Sequence, residues 1–553
     1  MAKRSGSRVR KVLTAFLAVA LAAGTFAGCS KSSSPSSSAG GSSNSAKSAA
    51  PTTIKILEMG SEINQIQKIE DEFYNRTKNT LNLKVQIDSV MGDQYASKLK
   101  LEMTSGNADG YDFVFDASWL SLPTLAGEGA YTDLSPYFGN SQYPGLQKCF
   151  SDTFLKANYV NGKLYAVPLT QNFYDIPGII YRTDLAKKYG IGKITSNADL
   201  RKYFEDVLKD ESGTGVYPLG VSDRTGFYEF LEDDYVNENK AGIFEVSGIL
   251  TDTSQRMFQA AISKDGKKVL GVVTLGDPDS KFANFPAPYN KNYIDSKYIQ
   301  YKDWAKYIEP DSTAQTDSEN NLFVPGKVAA TTATLNDVAT ISKKVASSVQ
   351  GATVDFYAYN DYERDMQKGA MYTAYQAWND ICMPANAPHK QQAITFLNWL
   401  FSSQQNHDLF ELGIENTNWK AVGTNQYTIP STVDAASNYN IPQYELTWNP
   451  VLTRISADLP TAAGSLFQYE ASADSYSKIP FAGFTFDPSN VKTQIAQLDS
   501  LEKGQESALI TGSYPDPAAQ LAKFNASAEK AGLEDVRNEI QKQLQAYLDK
   551  ING

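Results

Sequence analysis

The chain has 553 residues, enough for several packed units, and its 42% apolar share is ordinary for a protein with a full core. Its 62 acidic and 51 basic residues give a net charge of −11, which argues against nucleic acid or an anionic lipid surface as partner. Two histidines and three cysteines, none at metal-ligand spacing, count against zinc, Ser-His-Asp and Cys-His chemistry, so no cofactor or metal is expected.

Residues 1–28 read as a secretory signal. Lys3, Arg4, Arg8, Arg10 and Lys11 precede an apolar run over 12–23, too short to span a bilayer comfortably, and small residues follow. Ala27-Gly28-Cys29 resembles a bacterial lipobox, with Phe26 where Leu is usual. Cys29 is therefore expected to carry the lipid after cleavage. Residues 29–51 are almost entirely Ser, Ala, Gly, Lys and Asn. Such a stretch cannot bury enough apolar surface to order itself, and is expected to be a flexible tether with a reach of roughly 25 Å. The address implied is the outer face of a bacterial cell membrane, Gram-positive in type, with the protein held there by acyl chains.

The folded body opens with an alternating strand at 53–57. A helix over 62–78 follows, with Ile63, Ile66, Ile69 and Phe73 on one face. A strand at 83–87, a helix over 95–105 and a strand at 112–116 complete a β-α-β-α-β pattern, the signature of a parallel sheet with crossover helices. Ligands in such sheets bind beyond the carboxyl ends of the strands, here 60–64, 91–94 and 116–119. A second set follows, with strands at 163–169, 178–181 and 217–221, helices at 183–189 and 197–210, and an apolar segment at 328–335. An amphipathic helix is expected over 389–402, and the chain ends in helices at 491–502, 517–531 and 536–551. The resulting division is a first α/β lobe at 52–165, a second at 166–345, a return segment with hinge-associated helices at 346–410, and an extra C-terminal domain at 411–553. Cys149 and Cys382 stand open to a disulfide or to two buried thiols.

Asp210-Glu211-Ser212-Gly213-Thr214-Gly215 has the outline of a calcium loop, but Ser and Thr hold ligand positions and Val221 the closing one. A plain helix-to-strand connection is the better reading. Trp119, Trp378 and Trp448 each sit among polar, turn-forming neighbours, and Gln171-Asn172-Phe173-Tyr174-Asp175 packs similar chemistry into five residues. A flat apolar face beside polar edges complements a sugar ring, which offers C–H faces for stacking and hydroxyls for hydrogen bonds. Each of these aromatics would equally fill a core. A glycosidase pair of carboxylates cannot be singled out among 62 acidic residues.

Several short stretches recur in an order that resembles the extracellular solute-binding lipoproteins of bacterial carbohydrate-type ABC importers. They are Tyr95-Ala96-Ser97-Lys98-Leu99, Gly127-Glu128-Gly129-Ala130-Tyr131, Asn161-Gly162-Lys163-Leu164-Tyr165-Ala166-Val167-Pro168 and Tyr181-Arg182-Thr183-Asp184-Leu185. Phe486-Asp487-Pro488-Ser489 and the closing helix are similar to an extra C-terminal domain found in one branch of that family, whereas Asn416-Thr417-Asn418-Trp419 departs from it. The resemblance implies a two-lobed periplasmic-binding-protein-like α/β fold, with a hinge, a ligand cleft and helical C-terminal additions. It also implies a monomer that captures an oligosaccharide by cleft closure, docks on ABC permease subunits and does no chemistry on the sugar. Loop context and strand ends, not a family motif, nominate the site. Trp119, Tyr174, Trp378 and Trp448 are the stacking candidates. Asp116, Gln171, Asp175, Asn379 and Arg454 are the hydroxyl partners, with Glu62 reaching in from the first strand's end. A secreted carbohydrate-active enzyme and a surface adhesin or sensor component are the alternative readings.

Overall fold

The computed structural model describes residues 50–160, 162–169, 175–221, 235–250, 256–310, 318–434, 437–510 and 515–553. The expected signal, Cys29 and nearly all of the tether lie outside them, as do Gln171 and Tyr174. From Thr52 the chain runs β1 (Thr52–Met59), α1 (Ile66–Thr77), β2 (Leu83–Val90), α2 (Gly92–Thr104) and β3 (Phe113–Ala117). Both β2 and β3 pair parallel with β1, as the alternating pattern predicts. Ile54 and Ile56 enter one core with Ile69 and Phe73 of α1, while Leu57 enters another with Tyr95 and Leu99 of α2. The sheet is thus covered on both faces, which suits parallel strands.

The chain continues through β4 (Ala166–Leu169), β5 (Pro177–Arg182), α3 (Asn197–Thr214) and β6 (Tyr217–Gly220). Then come β7 (Ile243–Val246), β8 (Phe258–Ile262), β9 (Val269–Thr274), β10 (Val328–Thr334), β11 (Val354–Ala358), β12 (Met371–Thr373) and β13 (Asn379–Cys382). The first sheet has the order β2-β1-β3-β13-β4, the second β11-β5-β10-β6, and β7-β8-β9 form a third. The sequence reading ended the first lobe at residue 165 and began the second at 166. The structure corrects this, because β13 returns to the first sheet and pairs antiparallel with β3 on one side and β4 on the other. The first lobe therefore extends through Leu169 and regains the chain at Asn379.

The reading of 411–553 as one extra domain is corrected as well. After α4 (Lys390–Leu400) and α5 (Gln404–Glu411), Tyr439, Ile441, Leu446 and Leu452 pack into the first-lobe core with Phe73, Phe396 and Phe410. The helix α6 (Thr461–Glu470) then joins the second-lobe core through Ala463, Leu466 and Phe467, beside Ile180 and Phe356. The last helices, α7 (Lys492–Ile510), α8 (Pro517–Lys530) and α9 (Leu533–Asn552), cover the third sheet. Val536, Ile540, Leu544 and Leu548 of α9 meet Phe244, Phe258 and Val272 in that core. The third unit is thus composite, its sheet drawn from the middle of the chain and its helices from the end.

Smaller expectations resolve as follows. Cys149 and Cys382 are both buried free thiols. The calcium-like motif is mostly the last turn of α3, where the Asp210 carboxylate is paired with Lys188 and accepts the Tyr189 hydroxyl at 3.0 Å. The first helix begins at Ile66, not residue 62, because Gln65 takes a left-handed backbone with φ 58°. No described helix is long and apolar enough to cross a membrane.

Candidate functional site

The chain's own path locates the cleft. It leaves the first lobe after Leu169 and re-enters at Asn379, and these two residues pair across the β4–β13 ladder. Asn379 pairs in turn with Ala117 at the carboxyl end of β3. In the second sheet Pro177 lies opposite Thr334, and Gly178 opposite Ala358, so that edge receives and releases the same crossovers.

On the first-lobe edge, two adjacent loops carry Trp119 and Trp378. The Ser118 amide donates to the Trp378 carbonyl at 3.1 Å, and the Trp119 indole N–H donates to Asn379 Oδ1 at 3.1 Å. Trp119 remains 44% exposed and Trp378 41% exposed. Large indoles are usually well buried, so two exposed ones on adjacent, hydrogen-bonded loops by the carboxyl end of β3 offer apolar faces with a polar rim. Glu62 is exposed on the loop that follows β1. Asp175 lies on the opposite edge, where it accepts the Asn336 amide at 3.3 Å. Burial, with the Asp337 charge adding, pushes its carboxyl up to about 6.

Two candidates are already committed elsewhere. Asp116 is fully buried: Oδ1 accepts the amides of Ala117 at 2.8 Å and Ser121 at 2.9 Å, and Oδ2 accepts the Tyr131 hydroxyl at 2.6 Å. It shapes the loop that presents Trp119 and leaves no lone pair facing the cleft. Its cross-strand neighbour Asp380 is raised well above the usual carboxylate range by burial and by the Asp116 charge. Arg454 is bound to Asp408 at 2.9 Å and to the carbonyls of Thr424 and Gln426, and its guanidinium lies over the Trp419 ring. It ties the small sheet of β14 (Lys420–Val422), β15 (Gln426–Thr428) and β16 (Ile455–Ser456) to α5, so its charge is spent internally.

Trp448 is partly exposed and packs edge-on against Tyr444, with centroids 5.9 Å apart. Tyr444 in turn meets Phe115, which also meets Trp119. Tyr444 and Ser118, which lie beside these candidates, were not nominated from the sequence. The spacing of Tyr444 and Trp448, four residues apart in one polar stretch, was the available signal for the first.

His407, Asp408 and Glu411 bring one ligand-type atom each to within 4.8 Å of one another, all buried. The imidazole Nε2 donates to the Thr447 carbonyl at 2.7 Å and Nδ1 lies 2.8 Å from Glu411. Burial lowers the His407 pKa, but the Glu411 charge and hydrogen bond outweigh it and raise the value above 6.5. With Arg454 on Asp408, two cationic side chains already balance the carboxylates, and the group reads as an ion-pair network. A shallow groove of about 290 Å³ between Met103, Asn107, Leu125 and Pro384 lies at the amino end of β3, away from the tryptophans.

Residues 71–428 match the family model described as bacterial extracellular solute-binding protein, and residues 480–549 match a domain of unknown function, DUF3502. A Streptococcus pneumoniae protein named as a carbohydrate ABC transporter substrate-binding protein is 22% identical over 515 residues, covering 91% of this chain and 92% of its own. The crystal structure of an N-glycan transport solute-binding protein from Streptococcus pneumoniae aligns with TM-score 0.65 at 19% identity, over 90% of this chain and 99% of that one. A Bifidobacterium longum infantis protein described as an HMO-binding, ABC-transporter-associated solute-binding protein aligns with TM-score 0.58 at 14% identity, over 90% of this chain and 99% of that one. These neighbours share the two-lobed α/β fold.

Proposed function

The chain belongs to the bacterial extracellular solute-binding protein family, and from that premise we propose that it captures an oligosaccharide for an ABC importer. The observation that carries the reading is the pair of exposed tryptophans, Trp119 and Trp378, on adjacent loops joined by the Ser118–Trp378 backbone hydrogen bond, with Asn379 holding the Trp119 indole N–H. Stacking on the indoles excludes water from the sugar's C–H face, while amide and carboxylate groups take its hydroxyls. The second lobe then closes as a hinged body, because the ligand gains contacts there only in the closed state. The neighbours described as carbohydrate or N-glycan transporters support the same ligand class.

Cys29 anchors the mature protein to the outer membrane face, and the tether keeps the loaded protein at high effective concentration beside its permease. The test is calorimetric titration of the soluble body with manno-, malto- and galacto-oligosaccharides. Trp119→Ala and Trp378→Ala are each expected to weaken the sugar that binds by about tenfold or more, given roughly 1.5–3 kcal/mol for a buried aromatic contact. Unchanged affinity in both variants, or no binding by any series, would overturn the reading.

A further inference from the structure

We propose that the segment 443–448 supplies an additional sugar subsite on the first lobe, which makes the cleft selective for longer oligosaccharides. The inference rests on the sugar-binding reading and extends it to chain length.

The segment is fastened to the ligand edge of the first sheet. Glu445 Oε2 accepts the amide of Met59, the last residue of β1, at 2.5 Å. Just before it, Asn440 Oδ1 accepts the Asn64 amide at 2.7 Å, so the stretch lies along the same loop that carries Glu62. Its aromatic side chains continue the tryptophan platform. Phe115, 1% exposed, is a shared keel: Trp119 meets it with centroids 6.2 Å apart and Tyr444 meets it at the same separation. Trp448 then stands edge-on to Tyr444. Trp119 and Tyr444 thus rise from one buried ring and Trp448 extends this terrace beyond Tyr444, each with part of its surface open.

The terrace is rigid before any ligand arrives. The Trp448 indole N–H reaches Gln443 Oε1 at 3.5 Å, the Thr447 carbonyl is held by His407, and the Asn449 side chain donates to the Cys149 carbonyl at 3.0 Å. Fixed aromatic faces lose little rotamer freedom on binding, so a sugar placed there gains affinity at low entropic cost. On this proposal a disaccharide occupies Trp119 and Trp378 and leaves Trp448, two ring contacts beyond Phe115, open. A longer chain would cross Tyr444 and engage it.

The experiment compares the disaccharide and hexasaccharide of whichever oligosaccharide series binds, and reads the ratio of the two affinities. In Tyr444→Leu and Trp448→Leu, which keep apolar bulk but remove the flat ring, the preference for the hexasaccharide is expected to fall at least tenfold. In Trp119→Ala both affinities fall together and the ratio holds. An unchanged ratio in both leucine variants, with Trp119→Ala still weakened, would overturn the subsite and leave sugar capture standing. If Trp119→Ala and Trp378→Ala leave affinity unaltered, the capture reading itself falls and the subsite with it.

Discussion

Glu58 and Glu445 are two carboxyls buried together under the ligand edge. Glu58 is 0% exposed and neither of its oxygens has a hydrogen-bond partner; Glu445 binds the Met59 amide through one oxygen only. Burial pushes Glu445 up to about 8, and burial with the Glu445 charge drives Glu58 well above the usual range. A carboxyl whose folded-state pKa is raised holds its proton in the native state after the unfolded chain has lost it. Its contribution to stability is complete below about pH 4.5 and is lost as pH rises toward about 8, at roughly 1.4 kcal/mol per pH unit. Glu445→Gln, which cannot ionise, is expected to flatten that slope: near wild-type stability at pH 5, greater stability at pH 8.5, read by urea unfolding at both values. A variant as pH-sensitive as wild type would show that Glu445 is already charged. The same residues show what a sequence can reveal at this scale. The positions of Trp119, Trp378 and Asn379 at strand ends were legible, because polar, turn-forming neighbours mark where a strand stops. Asp116 was not, because nothing in Asp-Ala-Ser-Trp tells whether the carboxylate points outward or folds back onto its own loop amides.

Between elements, the buried ion pair of Arg256 and Glu502 joins the third sheet to α7. The guanidinium, 0% exposed, donates to Glu502 at 2.6 Å and to the Leu275 carbonyl at 2.7 Å, and lies against the Phe524 ring of α8. Arg537 of α9 makes a second tie, to Asp277 just after β9, at 2.7 Å. Taking one member of a buried pair away strands the other charge in a low-dielectric interior, so Glu502→Ala is expected to cost about 3–5 kcal/mol. The exposed pair of Lys368 and Asp474 is the control, since screening leaves such contacts worth little, and Asp474→Ala should be silent. Equal effects of the two substitutions on denaturant midpoints would refute the distinction. These ties explain why the C-terminal helices were legible as helices but not as parts of a composite unit. The apolar spacing of Val536, Ile540, Leu544 and Leu548 reveals a face to be covered; it does not say that strands some 270 residues earlier will cover it.

For the whole molecule, the covering pattern means that, among the described residues, no core is built from one continuous stretch. The chain passes between the first and second lobes between Leu169 and Ile176, again between Tyr359 and Asn379, and a third time between Leu452 of the first-lobe core and Ile455 of the second-lobe core. Each passage commits a distant segment to a shared core, so the units are expected to unfold together. Ligand linkage provides the measurement. A sugar present at about 100 times its dissociation constant stabilises the native state by roughly 2.7 kcal/mol. Unfolding entropy is close to 2.1 cal/mol/K per residue, so a single transition of about 500 residues would shift by only about 2.5 °C, whereas a first lobe of about 200 residues melting alone would shift by about 6 °C. Differential scanning calorimetry is expected to show one transition and the smaller shift. Two resolved transitions, with the larger shift confined to one of them, would mean that the crossings couple the lobes in geometry without coupling them in stability. The hinge would then be a softer joint than the threefold passage of the chain implies.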